Sequence, residues 1–228
     1  MTEPTALIVG ASRGLGLGLA RELLARNWTV IATARDVNGS ALKKLAEAHP
    51  GRLRVEALDV NDQAQQRALT GKLGGPTLDL LFVNAGITER AELAEVSQEA
   101  FTNVMLTNVL SPVQIALALR DRMRRGGTVA FMSSRMGSIA EMNVGNSAVY
   151  RASKAALNAL TRCFVGEVGA GKFTVLSFHP GWVRTDMGGP NAAVSIEDSV
   201  RGIVEVLDRE RGSGQHKFLD YQGNAIPW

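Results

Sequence analysis

Short apolar runs alternate along the chain with longer segments in which apolar residues recur at helical spacing. The runs are ALIVGA, TVIATA, RVEAL, LDLLFVNAG, GTVAFMSS and FTVLSFHPG, and a further candidate edge strand lies in the final HKFLDYQGNAIPW. Such alternation is typical of β-α-β units, and stretches like LLFV, apolar at consecutive positions, suit a parallel sheet covered by helices on both faces. The pattern therefore predicts an α/β fold built on a doubly wound parallel sheet of about seven strands.

The predicted elements follow one another without a Pro/Gly/Ser-rich linker or an internal repeat. This continuity predicts a single domain over residues 1–228. Between the sixth strand and a helix starting near Ile196, the segment GWVRTDMGGPNAAVS is rich in glycine and poor in helix formers. Loops at the carboxyl ends of parallel strands bind ligands in open α/β sheets, so we expect a mobile substrate loop at about 181–195.

Composition narrows the class of protein further. Of 228 residues, 45% are hydrophobic and 21% charged, as expected for a globular chain, and 25 basic against 22 acidic residues leave a net charge of only +3. The basic run RDRMRR (120–125) sits where a helix should end and suits the helix dipole, so nucleic acid is not an expected partner. No apolar run approaches about 18 residues and the first residues do not resemble an export signal, so we expect a cytoplasmic protein without a membrane span. The one cysteine, Cys163, is expected to be buried as a small apolar side chain.

A glycine-rich turn, GASRGLGLG, directly follows the first strand. Gly10, Gly14 and Gly16 open a helix that should run to about Asn27. Glycines at a strand-to-helix turn let the backbone approach a pyrophosphate, which the helix N-terminus then binds. The spacing G-x-x-x-G-x-G predicts a Rossmann-type dinucleotide site, although a merely tight turn is the alternative.

The end of the second strand bears on which dinucleotide is preferred. Strands of NAD-preferring domains usually end in an acid that binds the ribose hydroxyls, but here Ala34 takes that place and Arg35 follows. With Arg13 of the glycine turn, Arg35 forms a potential clamp for a 2′-phosphate. The sequence therefore favours NADP(H) over NAD(H).

Two acids near this end have open roles. Asp36 could begin the loop or cap the helix that starts near Ser40. Asp59, at the end of the third strand, could accept a hydrogen bond from the adenine amino group or cap the following helix.

The stretch SAVYRASKAALNAL places Tyr150 four positions before Lys154 in an Ala-rich helix. The two side chains then share one helix face, and a neighbouring cation would lower the pKa of the phenol toward the range useful for proton transfer. The alternative is a half-buried tyrosine beside a solvated lysine.

Together these motifs resemble the classical short-chain dehydrogenase/reductase family over essentially the whole chain. The resemblance rests on GASRGLG, on NAG at 84–86, on a serine-containing fifth strand and on YRASK at 150–154. Within that family, HPGWVRTDMGG (179–189) and the terminal GNAIPW resemble the C-factor-like and sniffer-like carbonyl reductases. The resemblance implies an NADPH-dependent oxidoreductase that acts on a small ketone, aldehyde or alcohol.

The resemblance also implies a role for each matching residue. Tyr150 would be the general acid, Lys154 would lower its pKa and hold the nicotinamide ribose, Ser134 would orient the substrate oxygen, and Asn108 would hold a water that links Lys154 to solvent. The remaining implied cofactor contacts are Ser12, Leu15, Val60, Asn84, Ala85, Gly86, Pro180, Gly181, Val183 and Thr185, the last of them bonding the carboxamide.

The chain departs from the family pattern in three places. Val9 replaces a common threonine and so loses a hydroxyl that would fasten the glycine turn, and Val83 stands where the family motif NNAG begins with asparagine. The interval between the serine and Tyr150 is long, which leaves Ser133, Ser134 and Ser138 as competitors. We favour Ser134 because it closes the apolar strand TVAFM.

Residues around the expected pocket have a structural reading beside the functional one. Glu141, Met142 and Asn143 either contact substrate or form a plain solvated loop. His179 is expected to serve structure rather than catalysis, and Trp182 either shapes the pocket or covers the sheet edge.

Two classes of function fit these observations. The first is the reductase, a homodimer or homotetramer by kinship and by the apolar stripes around 101–119 and 153–168, with no metal site expected. The second is an NADP(H)-binding signalling protein with little or no turnover.

Overall fold

A computed structural model describes residues 3–75 and 77–228, and its centre is one parallel sheet. Seven strands lie in the order β3-β2-β1-β4-β5-β6-β7, and every neighbouring pair is parallel. The strands are β1 (Thr5–Val9), β2 (Thr29–Ala34), β3 (Leu53–Ala57), β4 (Leu78–Val83), β5 (Met123–Met132), β6 (Thr174–His179) and β7 (His216–Asp220). The doubly wound sheet predicted from the sequence is confirmed, including the edge strand near the end of the chain.

Helices connect the strands and cover both faces of the sheet. They are α1 (Gly14–Ala25), α2 (Ser40–Ala48), α3 (Gln63–Lys72), α4 (Gln98–Met105), α5 (Ser111–Leu119), α6 (Ala148–Val168) and α7 (Ile196–Glu210). A π-helical turn, Leu106–Leu110, joins α4 to α5. Helix α1 ends two residues before the predicted Asn27, because Asn27 adopts a left-handed conformation with φ of 61° that stops the helix.

The core is divided between the two faces of the sheet, as strand geometry requires. Along β1, Ala6 and Ile8 pack toward one face while Leu7 and Val9 pack toward the other. The first face is covered by α1 and α7, through residues such as Leu19, Leu23 and Ile203. The second is covered by α3, α5 and α6, through residues such as Leu69, Ile115 and Leu157. Both faces of β1 are therefore buried, which explains its uninterrupted apolar sequence.

One continuous helical run, residues 98–122, is long and apolar enough to cross a membrane by length and composition alone. However, 56% of its most apolar window is buried within the fold. Val113, Ile115 and Leu119 on this run pack into the second core cluster. Packing against the sheet accounts for much of the apolar character of this run.

The basic run 120–125 is not wholly a helix terminus, contrary to the prediction. Helix α5 ends at Leu119, a short 3-10 turn covers Arg120–Arg122, and Met123 already begins β5. The strand starts earlier than expected because its register against β4 shifts between Leu78 and Leu80, which accommodates Arg-Gly-Gly at its start.

The prediction that Cys163 is buried is wrong, since its side chain is exposed. On α6 the buried face carries Leu157, Thr161 and Phe164. Cys163 lies about 100° around the helix from Phe164, which turns it toward the outer surface. The residue type of Cys163 suggested burial, but its position around α6 places the side chain on the exposed face of the helix.

Candidate active site

The order of strands creates a cleft at the carboxyl edge of the sheet, where chain connections from β1 and β4 leave in opposite directions. The cleft has a volume of about 940 Å³. The predicted cofactor residues that line it are Gly10, Ser12, Arg13, Gly14, Leu15, Arg35, Asp59, Val60, Asn84, Ala85, Gly86, Tyr150, Lys154, Pro180 and Thr185. Gly16, Gly181 and Val183 are not among its lining residues, nor are Ser134 and Asn108.

The glycine turn lies so close to the chain after β4 that Gly10 leaves no room for a larger residue. Gly10 has φ of 85°, and a Cβ atom there would lie 2.9 Å from the Cα of Ala85. The Gly10 amide donates to Thr33 Oγ1 at 3.1 Å, and Asn84 Nδ2 donates to the Gly10 carbonyl at 2.7 Å. Thr33 of β2 thus supplies a hydroxyl to the turn although Val9 cannot. At Gly10 the main chain carries no side chain, so a pyrophosphate can approach it closely.

Two arginines line the cleft beside the glycine turn. Arg35 is exposed where β2 ends, and Arg13 lies across from it in the glycine turn. Arg13 Nη1 pairs with Asp186 Oδ2 of the loop after β6 at 2.5 Å, and the two side chains are 77% and 76% exposed. These cations fit the chemistry of a ribose phosphate, and one of them has a carboxylate partner within the protein.

The two acids near this end are now placed. Asp36 Oδ1 accepts from the Asn38 amide, and the residue that precedes α2 is Gly39, so Asp36 begins the loop and does not cap the helix. Asp59 Oδ1 accepts from the Asn61 amide, whereas α3 is capped by Asp62. The helix-capping alternative for Asp59 is therefore wrong, and Asp59 lines the cleft.

Tyr150 and Lys154 lie one turn apart near the start of α6, with Lys154 Nζ 5.7 Å from the centre of the tyrosine ring. Lys154 is buried and donates to the Met132 carbonyl at 2.9 Å. Burial lowers the pKa of Lys154 to about 8. The solvated lysine of the alternative reading is excluded.

The pKa of Tyr150 is raised, whereas the sequence predicted that it would be lowered. Burial raises the pKa of Tyr150 to about 12, and a hydrogen bond with Ser134 offsets part of that rise. The causes of the shift in the pKa of Tyr150 are burial and Ser134, and Lys154 is not among them. The phenol therefore keeps its proton at neutral pH.

The three candidate serines have different partners. Ser133 Oγ donates to Asn158 Oδ1 at 2.7 Å, and Ser138 Oγ accepts from the Glu141 amide at 3.2 Å. Ser134 is the candidate whose side chain acts on Tyr150, since it lowers the pKa of the phenol. Its Oγ also caps the short turn that follows β5 by accepting from the Met136 amide at 3.2 Å.

Asn108 is fully buried in the π-helical turn between α4 and α5. Its Oδ1 accepts from the Ile87 amide at 2.8 Å, and its Nδ2 donates to the Ile87 carbonyl at 2.8 Å and to Ser153 Oγ at 3.0 Å. A Cβ on Gly86 would lie 3.2 Å from Asn108 Oδ1 and 3.4 Å from Lys154 Nζ. Asn108 thus fixes the loop after β4 beside Lys154, and Gly86 keeps the space between them open.

The segment after β6 crosses the cleft from one wall to the other. Thr185 Oγ1 accepts from the Gly188 amide at 3.1 Å and lines the cleft. Beside it, Asp186 reaches Arg13 on the glycine turn. On the opposite wall, Arg90 donates to the Met187 carbonyl at 2.6 Å. This segment, 184–189, is called the strap below.

Other residues weighed from the sequence lie outside the cleft wall. His179 is partly buried beyond it, and burial together with Arg135 lowers the pKa of His179 to about 4. The side chains of Met142, Asn143 and Trp182 are exposed.

Sequence reasoning missed several lining residues. Asn61 Nδ2 donates to Thr107 Oγ1 at 2.8 Å, which links the loop after β3 to the π-helical turn, and both residues line the cleft. Asp186 and Met187 fall within the predicted substrate loop 181–195 but were not named individually, because their partners Arg13 and Arg90 are distant in the chain. The further lining residues are Ala34, Leu58, Ile87, Asn103, Met132, Ser133, Arg184, Gly189, Pro190 and Ile196.

Comparison with known proteins agrees with this geometry. The family model described as short chain dehydrogenase matches residues 4–194. The chain therefore belongs to the short-chain dehydrogenase family, and it is an oxidoreductase.

Individual relatives add detail. A short-chain dehydrogenase/reductase from Burkholderia multivorans, solved with bound NADP, is 44% identical with a TM-score of 0.96, and both chains are covered completely. A carbonyl reductase from Pseudomonas aeruginosa PAO1 in complex with NADP is 41% identical with a TM-score of 0.93, again over 100% of both chains. The C-signal of Myxococcus xanthus is 38% identical over 157 residues, which are 68% of this chain and 94% of that protein. The predicted resemblance to carbonyl reductases and C-factor-like proteins is confirmed.

Proposed function

We propose that this protein is an NADPH-dependent carbonyl reductase that reduces a small ketone or aldehyde to an alcohol. One observation carries the proposal: Tyr150, Lys154 and Ser134 converge near one end of a single cleft, while Arg13 and Arg35 stand at the other. A dinucleotide extended between these ends would have its phosphates at the glycine turn and a 2′-phosphate at the arginines. The two solved relatives with bound NADP support this choice of cofactor.

The residues of the chain suit carbonyl reduction. NADPH, when bound, would supply the hydride that reduces the carbonyl carbon. Tyr150 donates its phenolic proton to the carbonyl oxygen. Burial raises its pKa to about 12, so the phenol is protonated at neutral pH and is a weaker acid than a free tyrosine. Ser134 orients the same oxygen by a hydrogen bond.

Other residues hold the reacting groups in place. Lys154 would hold the nicotinamide ribose and Thr185 would hold the carboxamide. Asn108 keeps the loop after β4 in position beside Lys154. In this proposal Asn108 also holds a water that links Lys154 to solvent.

We also propose that the protein works in the cytoplasm as a homodimer or homotetramer on a small molecule, with neither nucleic acid nor a membrane as partner. The near-neutral net charge of +3 supports the absence of nucleic acid. Phe101 and Leu110, exposed on the outer side of the α4–α5 run, are suited to contact another copy.

Similarity to the C-signal favours a second candidate, an NADP(H)-binding signalling protein with little turnover. Both candidates predict cofactor binding, so turnover separates them. A reductase consumes NADPH with some members of a panel of ketones and aldehydes, whereas a sensor binds it and leaves it unchanged.

The proposal is tested by titrating the purified protein with NADPH and NADH while following nicotinamide fluorescence. We expect tighter binding of NADPH, and we expect Arg35→Ala to weaken NADPH about tenfold or more while NADH changes little, because a bidentate phosphate contact is lost. Arg211→Ala, which removes an exposed arginine stacked on Trp28, is the matched control. Equal affinity for both dinucleotides, unaffected by Arg35→Ala, would contradict the assignment of the phosphate clamp.

A further inference from the structure

Asn61, in the loop after β3, uses both ends of its side-chain amide to contact the helical run 98–122. Its Nδ2 donates to Thr107 Oγ1 at 2.8 Å, and its Oδ1 accepts from Ser111 Oγ at 2.8 Å. Thr107 belongs to the π-helical turn, Ser111 is the first residue of α5, and both are buried. These three side chains, called the Asn61 brace below, tie the loop after β3 to the π-helical turn.

The loop that carries Asn61 is itself fixed by side chains. Asp59 Oδ1 accepts from the main-chain amide of Asn61 at 2.9 Å, and the main-chain amide of Asp59 donates to Gln65 Oε1 at 2.7 Å. Gln66 Nε2 donates to the Val60 carbonyl at 2.7 Å. Gln65 and Gln66 both belong to α3. Asn61 is therefore anchored to α3 and gives the π-helical turn a fixed point of attachment.

The π-helical turn carries Asn108 directly after Thr107. Asn108 Nδ2 donates to Ser153 Oγ at 3.0 Å, and Ser153 Oγ donates to the Tyr150 carbonyl at 2.7 Å. Asn108 also bonds the main-chain amide and carbonyl of Ile87. A displacement of the turn would therefore reach both the start of α6, which carries Tyr150, and the loop after β4.

The hydroxyls of the Asn61 brace lie where the helical run departs from α-helical geometry. The run is α-helical on both sides of Leu106–Leu110, and single π-helical turns of this kind are rare and frequent at functional sites. Val104, Val109 and Val113 on the same run are buried and apolar. Buried hydroxyls among them cost free energy unless they are bonded, and Asn61 supplies that bonding. The bonds to Asn61 thus favour the π-helical geometry of the turn.

We propose that Asn61 is a positioning residue for carbonyl reduction. Through Thr107 it holds the π-helical turn in the geometry in which Asn108 contacts α6 and the loop after β4. Tyr150 and Lys154 then keep their places at the end of the cleft. This inference rests on the proposed reductase function, because that function gives Tyr150 and Lys154 their roles.

Thr107→Val tests the role of the hydroxyl, because valine keeps the shape of the side chain and removes the atom that Asn61 bonds. We expect the single-turnover rate of NADPH oxidation at saturating ketone to fall about fivefold to tenfold, while KM for the ketone changes less than about twofold. Misplaced catalytic groups slow the chemical step without removing contacts to substrate. Thr70→Val, which removes a hydroxyl bonded to the Gln66 carbonyl on α3 at 3.0 Å, is the matched control and should change neither value. A Thr107→Val variant that is less stable but as fast as the wild type would overturn the proposal.

A double-mutant cycle tests whether Asn61 and Thr107 act through the bond between them. Asn61→Ala should lower the single-turnover rate at least as much as Thr107→Val, since it removes the bond to Ser111 as well. The double variant should match Asn61→Ala within about twofold, because the shared bond is already lost. Losses that multiply in the double variant would show that the two residues act independently and would overturn the coupling.

Tyrosine NMR separates this inference from the proposed function, because it requires no turnover. The chain has two tyrosines, Tyr150 and Tyr221, so the ring signals of protein labelled with isotopic tyrosine are assigned by Tyr221→Phe. We expect the Tyr150 signals to shift in Thr107→Val and to stay in place in Thr70→Val. Unshifted Tyr150 signals in Thr107→Val would overturn the positioning role, whether or not the protein reduces ketones. If the signals shift as expected but the wild type turns over no carbonyl compound, the reductase function fails while the link from Asn61 to α6 is supported.

Discussion

At the scale of single residues, the burial of Lys154 lowers the stability of the folded protein. The residue is buried in the second turn of α6, and the Met132 carbonyl accepts a hydrogen bond from its Nζ. Burial lowers its pKa from 10.5 to about 8, so at neutral pH the fold carries the cost of a buried ammonium. An apolar side chain of similar length would therefore be more favourable for the stability of the fold.

This cost predicts that Lys154→Met stabilises the protein at pH 7. A difference between pKa values of 10.5 and about 8 corresponds to about 3 kcal/mol in the free energy of unfolding, an upper value because the bond to Met132 is lost as well. The sign follows from proton binding: between these two pKa values the unfolded chain binds more protons, so the stability of the wild type rises with pH. Urea unfolding at several pH values measures this.

The advantage of the variant should be full below about pH 8 and should shrink as pH rises toward 10.5. A variant less stable than the wild type at pH 7 would show that the ammonium is well solvated or well paired in the fold. Arg162→Met, on the same helix but exposed, serves as the control and should show no such dependence on pH.

At the scale of elements, the strap links the glycine turn to the loop after β4. Asp186 of the strap forms an ion pair with Arg13, which is one of the two arginines expected to bind a 2′-phosphate. A phosphate that takes Arg13 must compete with this carboxylate, whereas a dinucleotide without the phosphate need not. The pair is exposed, so the competition is weak.

We therefore expect Asp186→Asn to bind NADPH about twofold to fivefold more tightly and NADH unchanged, a range set by the small strength of exposed ion pairs. Fluorescence titration of both dinucleotides measures the change, and raising the salt concentration should reduce it. Asp208→Asn on α7 is the control, because it removes an exposed carboxylate that pairs with Arg26 at the end of α1. Weaker binding of NADPH by Asp186→Asn would mean that the carboxylate orients Arg13 toward the phosphate.

Elements also show what the sequence could and could not predict. Runs of apolar and β-branched residues located all seven strands, most directly β1 and β4, which are buried on both faces. The start of β5 was missed because Arg-Gly-Gly does not resemble a buried strand. The exposure of Cys163 depends on the phase of α6, and the pairing of Asp186 with Arg13 depends on two loops far apart in the chain.

At the scale of the whole molecule, one sheet brings together groups that are scattered along the sequence. The glycine turn after β1, the loop after β4, the serines after β5 and the strap after β6 all leave from the same edge. The motifs predicted the identity of the residues at this edge. The pKa of Tyr150 was predicted in the wrong direction, because burial is a property of the folded molecule and exceeds any lowering effect of the lysine.

The most direct test of the proposed function is a comparison of Tyr150→Phe with the wild type in NADPH binding and in single-turnover NADPH oxidation with a ketone substrate. We predict that the dissociation constant for NADPH changes by less than about twofold, while the rate of oxidation falls about 100-fold or more, as expected for loss of a general acid. A variant that binds NADPH normally and keeps more than about a tenth of the wild-type rate would contradict the assignment of Tyr150 as the proton donor.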